Sequence, residues 1–147
     1  KASSIYKTHV DGAGYIQQVY DGIRSDIPEG AFPCVILEPG STSEEPGTIG
    51  RKRLLKFKLR IACFMECVNF DNQIVGATSP STKGIIDLVN DIKNAIEVYP
   101  DLNYDSTGKR CNFYSFPEVK FEAELFPFRV AEITMQATVL TDGASLR

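Results

Sequence analysis

The chain has a single histidine, His9, which removes histidine-based catalytic triads and most zinc sites from consideration. Cysteine is sparse too: Cys34, Cys63, Cys67 and Cys111, with no CxxC pair. Cys63 and Cys67 sit in an alternating stretch, where residues four apart are separated by about 13 Å. That is too far for a mutual disulfide or a shared tetrahedral metal. The four are expected as reduced thiols packed as small hydrophobes, which suits folding in a reducing cytoplasm. No apolar run approaches the ~18 residues of a bilayer span, so no membrane partner is expected. A net charge of -3 gives no global attraction to nucleic acid or to an anionic membrane. Gly12-Ala13-Gly14 follows no apolar strand and precedes no GK[ST] motif, so it reads as a lead-in rather than a nucleotide loop. No cofactor, metal or catalytic constellation is expected, and the chain is not read as an enzyme.

What the sequence does have is alternation. Over residues 54–67, Leu55, Phe57, Leu59, Ile61, Cys63, Met65 and Cys67 share one face, and Lys56, Lys58, Arg60 and Glu66 share the other. A period of two over this length is a half-buried β-strand of roughly 45 Å. Ordinary strands run about five or six residues, so this one is expected to project past its domain and to need a covering partner.

The 147 residues suffice for one domain with its own core, and 43% hydrophobic with 24% charged residues argues against disorder. Residues 1–13 read as a lead. Ile16, Val19, Tyr20, Ile23 and Ile27 have helical spacing, and Pro28-Glu29-Gly30 would end that helix. A short strand follows over residues 32–37, then residues 39–50 (PGSTSEEPGTIG) read as a long exposed loop. Beyond the long strand, a second helix carries Ile85, Ile86, Leu88, Val89, Ile92, Ala95, Ile96 and Tyr99, with Ser79 as its N-cap, Ser81 and Thr82 as alternatives, and Pro100 as its stop. Residues 118–125 and 128–139 alternate as two antiparallel strands, and residues 141–147 read as a frayed tail. The fold class expected is α+β: a mainly antiparallel sheet, two helices packed on one face, and a long projecting strand.

Two clusters of charge invite a functional reading. Glu118, Glu122 and Glu124 share a strand face and could form a glycosidase pair, but Lys56, Lys58 and Arg60 are available to oppose them as cross-strand ion pairs. Residues 51–60 hold six basic residues and no acid: Arg51, Lys52, Arg53, Lys56, Lys58 and Arg60. Interleaved with Phe57 and close to Phe64 they could bind nucleic acid. Phe57, however, belongs to the apolar face, so a subunit interface is the preferred reading.

The order of these segments resembles a known family. A helix ending in IPEG, the strand FPCVILEPG, the basic alternating RKRLLKFKLRIACF, the helix KGIIDLVNDIKNAIE and the closing FPEVKFEAELFPFRVAEITMQATV together resemble the tail terminator, or tail completion, proteins of long-tailed bacteriophages and the small neck proteins of the head–tail joint. The resemblance covers nearly the whole chain and lies in element order and segment character. It implies a structural virion protein, made in the host cytoplasm, that forms a homohexameric ring, caps the tail-tube protein, ends its polymerisation and joins the tail to the head through connector proteins. DNA would pass through the channel without sequence-specific binding. Residues 39–50, with Glu44 and Glu45, and the basic start of the long strand would contact the tube or a neighbouring subunit. Two alternatives stay open: a neck adaptor or stopper on the portal side, and a cytoplasmic ligand-binding α+β domain.

Overall fold

A computed structural model describes residues 14–46, 52–66, 83–102, 111–122 and 128–142. These build one five-stranded sheet and, among the described residues, one helix. The elements are β1 (Gln18–Asp21), β2 (Cys34–Pro46), β3 (Lys52–Glu66), α1 (Ile85–Glu97), β4 (Phe113–Glu122) and β5 (Phe128–Asp142). Across the sheet they run β1-β2-β3-β5-β4, with β1 parallel to β2 and every other pair antiparallel.

The expected two-helix α+β fold is therefore wrong: among the described residues the protein is mostly sheet, the sheet is mixed, and a single helix packs on it. The error lies in residues 16–27. Their backbone bonds go to the next segment rather than up a helix: Gln17 N donates to Pro33 O and Gly22 N to Leu37 O, each at 2.8 Å. Between those two bonds, residues 18–21 pair with residues 34–37. Ile16 is buried and Val19 packs on the core, while Ile23 is 84% exposed, so no continuous helical face exists. Pro28-Glu29-Gly30 does make a turn, closed by Ala31 N to Pro28 O, with Gly30 at φ 79 where a side chain would be strained.

Residues 39–46 of the expected loop are also strand, extending β2 alongside β3; residues 47–50 and Arg51 lie outside the described residues. The register slips once, from Pro39 opposite Leu59 to Thr42 opposite Phe57, so β2 carries one extra residue. A Cβ on Gly40 would sit 2.8 Å from the Lys58 carbonyl oxygen, which explains the glycine in this bulge. β4 has a matching slip between Ser115 and Glu118, spanning Phe116 and Pro117. Of the expected frayed tail, Thr141 and Asp142 pair with Arg53 and Lys52 as strand, and residues 143–147 lie outside the described set, as do 1–13 with His9, Cys67, and Ser79 to Thr82.

The long alternating strand is present, over Lys52–Glu66, and so is the second helix, but its N-cap is Gly84 rather than Ser79, Ser81 or Thr82, and it ends at Glu97, before Tyr99. Ile61, Cys63 and Met65 of β3 and Ala131, Ile133 and Met135 of β5 are buried on one face, against Ile85, Leu88, Val89 and Ile92 of α1. Each isoleucine, leucine, valine or methionine among them, fully buried, contributes about 1.5–3 kcal/mol. The helix starts after Gly84, whose N–H donates to the Asp87 carboxylate at 2.9 Å. Tyr15 binds the same helix: its hydroxyl donates to Asp91 at 2.7 Å, and Lys83 meets that carboxylate at 2.5 Å. Burial together with this bond raises the Tyr15 pKa.

Cys34, Cys63 and Cys111 are buried and free. Burial pushes the Cys34 thiol up to about 11 and the Cys63 thiol up to about 12. Thiolates are the reactive form, so iodoacetamide at pH 8 is expected to leave both unmodified in the folded protein and to label both in urea. Rapid native labelling of either, read by peptide mass spectrometry, would contradict their packing.

Candidate functional site

The buried cluster ends at Leu37 on β2, Leu59 on β3 and Met135 on β5. Past that line β2, β3 and β5 continue together to Pro46, Lys52 and Asp142, an arm with β4 alongside β5 as far as Phe113 opposite Thr138, so that only its outer end is three-stranded. Cross-strand partners share a face, so Phe57 and Ala137 form one pair on the core-side face, and Leu55 and Val139 the next. Phe57 is 42% exposed there; on the opposite face Leu140 is exposed, and so is Phe113 at the start of β4.

The basic residues occupy this arm. Arg53 meets Glu44 at 2.5 Å and Lys56 meets Glu45 at 2.7 Å, tying β3 to β2. Arg60 lies between Glu38 on β2, at 3.3 Å, and Glu132 on β5, joining three strands. Lys52 and Lys58 are exposed and, among the described residues, face no carboxylate at salt-bridge distance. The proposed opposition of Glu118, Glu122 and Glu124 to the β3 cations does not occur, because β5 stands between β3 and β4. Glu118 is instead 3.7 Å from Lys120, and Glu124 lies outside the described residues. Glu38 and Glu132 were the partners sequence reasoning missed; both fall on the polar side of alternating strands, but only the register places them beside Arg60.

Hydrogen bonding from Arg60 holds the Glu132 carboxyl below the usual carboxylate range, against a smaller opposing effect of burial. A carboxyl depressed by folding adds stability above its unfolded value and loses it as pH falls through its folded value. The urea midpoint is therefore expected to drop as pH falls below the ordinary carboxylate value of 4.5, and Glu132→Gln is expected to reduce that drop. An unchanged pH dependence in the variant would remove Glu132 from the account.

A second feature was not legible in the sequence. An open groove of about 600 Å³ lies between the end of α1 and the start of β4, lined by Lys93, Glu97, Asn112, Phe113, Tyr114 and Phe116. The Tyr114 hydroxyl donates to Ile96 O at 3.1 Å, anchoring β4 to the last turn of the helix. The Tyr114 and Phe116 rings meet edge to face at 5.8 Å, and the Lys93 ammonium stands 5.5 Å from the Phe116 ring centre. Among the described residues, no three metal-ligating side chains converge and no helix is long and apolar enough to cross a membrane. No protein-family model matches the chain, and no curated protein matches it significantly.

Proposed function

We propose that this chain is a structural subunit of a long-tailed phage virion, one that assembles into a ring at the tail end, stops tube polymerisation and joins the tail to the head. Without the N-terminal helix, the resemblance rests on the long basic strand, the helix and the closing antiparallel pair. The observation that carries the reading is the arm, which exposes Phe57 and Leu140 beyond the reach of the only described helix. An isolated monomer gains nothing from exposing those side chains, whereas a ring neighbour can cover them. The cations support an assembly surface over a DNA surface: Arg53, Lys56 and Arg60 already face carboxylates, which cancels much of the attraction a phosphate backbone would feel.

Co-sedimentation with purified tail tubes tests this reading. The protein is expected to pellet with the tubes in a fixed, small number of copies per tube, set by tube ends rather than tube length. Binding in proportion to tube length, or no binding, would overturn the terminator role.

A further inference from the structure

We propose that the bulges in β2 and β4 act together as a rigid twist joint, which fixes the angle between the helix-covered part of the sheet and the arm. The joint stands on the strand registers alone; its use in closing a ring rests on the reading above.

The long strands differ in length over one short step. From Leu59 to Phe57 β3 advances two residues, and β5 beside it advances two, from Met135 to Ala137. Over that step β2 takes three, from Pro39 to Thr42. On the other margin β4 takes three residues, from Ser115 to Glu118, while β5 covers two, from Gln136 to Thr134. The first step is centred on Lys58, opposite Gln136, and the second on Met135, so the extra residues fall in adjacent rows. β1 pairs with β2 only as far as Leu37, so among the described residues β2 and β4 are the two margins at this level.

Taken singly, each bulge has a plainer use, because a bulge with a proline protects an edge strand from unwanted pairing. Edge protection does not require the two to share a level, nor that level to be where the buried cluster ends at Leu59 and Met135. A local twist requires both. In a twisted ribbon the margins follow a longer path than the middle, so one extra residue on each margin lets the sheet turn more sharply there. An extra residue on one margin alone would bend the sheet within its own plane.

The side chains make the joint stiff. Pro39 lies at the start of the β2 bulge and Pro117 within the β4 bulge, and a proline ring holds φ near about -65°. The Gly40 backbone is pressed onto β3, where a Cβ would stand 2.8 Å from the Lys58 carbonyl oxygen. Phe116 packs on the buried cluster and against the Tyr114 ring, and the Tyr114 hydroxyl is bonded to Ile96 O. Both margins are thus fastened, one to β3 and the other to α1. A ring closes only when each subunit turns the next by one angle, about 60° for six copies and about 51° for seven. The arm meets the neighbour, so a joint held at one angle selects one copy number.

Two deletions test the joint. Removing Gly40 leaves Ser41 opposite Lys58 and keeps Pro39 opposite Leu59 and Thr42 opposite Phe57. Removing Pro117 leaves Phe116 opposite Met135 and keeps the registers of Ser115 and Glu118. Spin labels at Lys52→Cys, exposed at the outer end of β3, and Asn90→Cys, exposed on α1, are introduced in a Cys67→Ser background; Cys34, Cys63 and Cys111 are buried. Pulsed dipolar spectroscopy then reads their separation in labelled chains diluted with unlabelled ones. The undeleted chain is expected to give one narrow distance distribution, and each deletion a narrow distribution displaced from it. A broad distribution in the undeleted chain would overturn the rigid joint, whether or not the deletions fold. Unchanged distances in folded deletions would overturn the twist and leave the bulges as edge protection. Light scattering on the unlabelled deletions is expected to show loss of the wild-type assembled mass. A displaced distance with that mass retained would overturn the role in copy number and leave the ring standing. A wild-type chain that stays single at every concentration would overturn the ring, while the distances still decide the joint.

Discussion

Ile133→Ala is expected to lower the free energy of unfolding by about 2–5 kcal/mol, and Ile23→Ala to change it by no more than about 0.5 kcal/mol. Ile133 has no solvent exposure; it stands between Ile61 on β3 and Val119 on β4 in one cross-strand row beneath α1. Removing its branched end leaves a cavity that three strands and a helix would have to collapse to fill. Domains of this size are stable by about 5–15 kcal/mol, so the loss takes a large share of the total, and Ile133→Asp is expected to abolish folding. Ile23 is 84% exposed, and its truncation removes almost no packing. Urea melts of the two alanine variants check both claims. Equal losses would restore the helix that the spacing of Ile16, Val19, Tyr20 and Ile23 suggests and would contradict β1.

Phe57→Asp is expected to separate folding from assembly. The side chain lies on the same face as Leu59 and Ile61, but beyond the buried cluster, and 42% of it is exposed. Its replacement should shift stability only slightly, within the range of surface changes. In the ring, an aromatic side chain covered by a neighbour is a typical hot spot, worth about 2 kcal/mol or more, a loss of roughly 30-fold in affinity. The variant is expected to melt cooperatively near the wild-type midpoint and to stay monomeric where the wild type assembles. A variant that assembles normally would mean that the arm's core-side face is not the contact. A variant that fails to fold would mean that Phe57 belongs to the core.

The elements legible in the sequence are those whose pattern is set by one local environment. β3 is half-buried along much of its length, so apolar and basic residues alternate from Leu55 to Ile61, and α1 packs through one apolar face, so its apolar residues recur at three and four. β1 was misread because two unrelated contacts, Ile16 in the core and Val19 against it, happen to be three residues apart. Its strand conformation comes from a parallel partner downstream, which leaves no local period. The arm's share of β2 was misread for the opposite reason. Pro39, Gly40, Ser41 and Thr42 have turn chemistry, yet a bulge accommodates Gly40 and pairing with β3 holds the rest extended. The basic residues were recognisable as a group from composition alone. Their partners Glu38, Glu44, Glu45 and Glu132 depend on strand register, and the groove beside Lys93 depends on how α1 meets β4.

The measurement that tests the central claim most directly is the mass of the purified protein in solution by light scattering across a concentration series. The ring reading predicts a species six times the 16.3 kDa chain at high concentration, dissociating to single chains on dilution and absent from Phe57→Asp. A wild-type mass that stays at one chain throughout the series would contradict it.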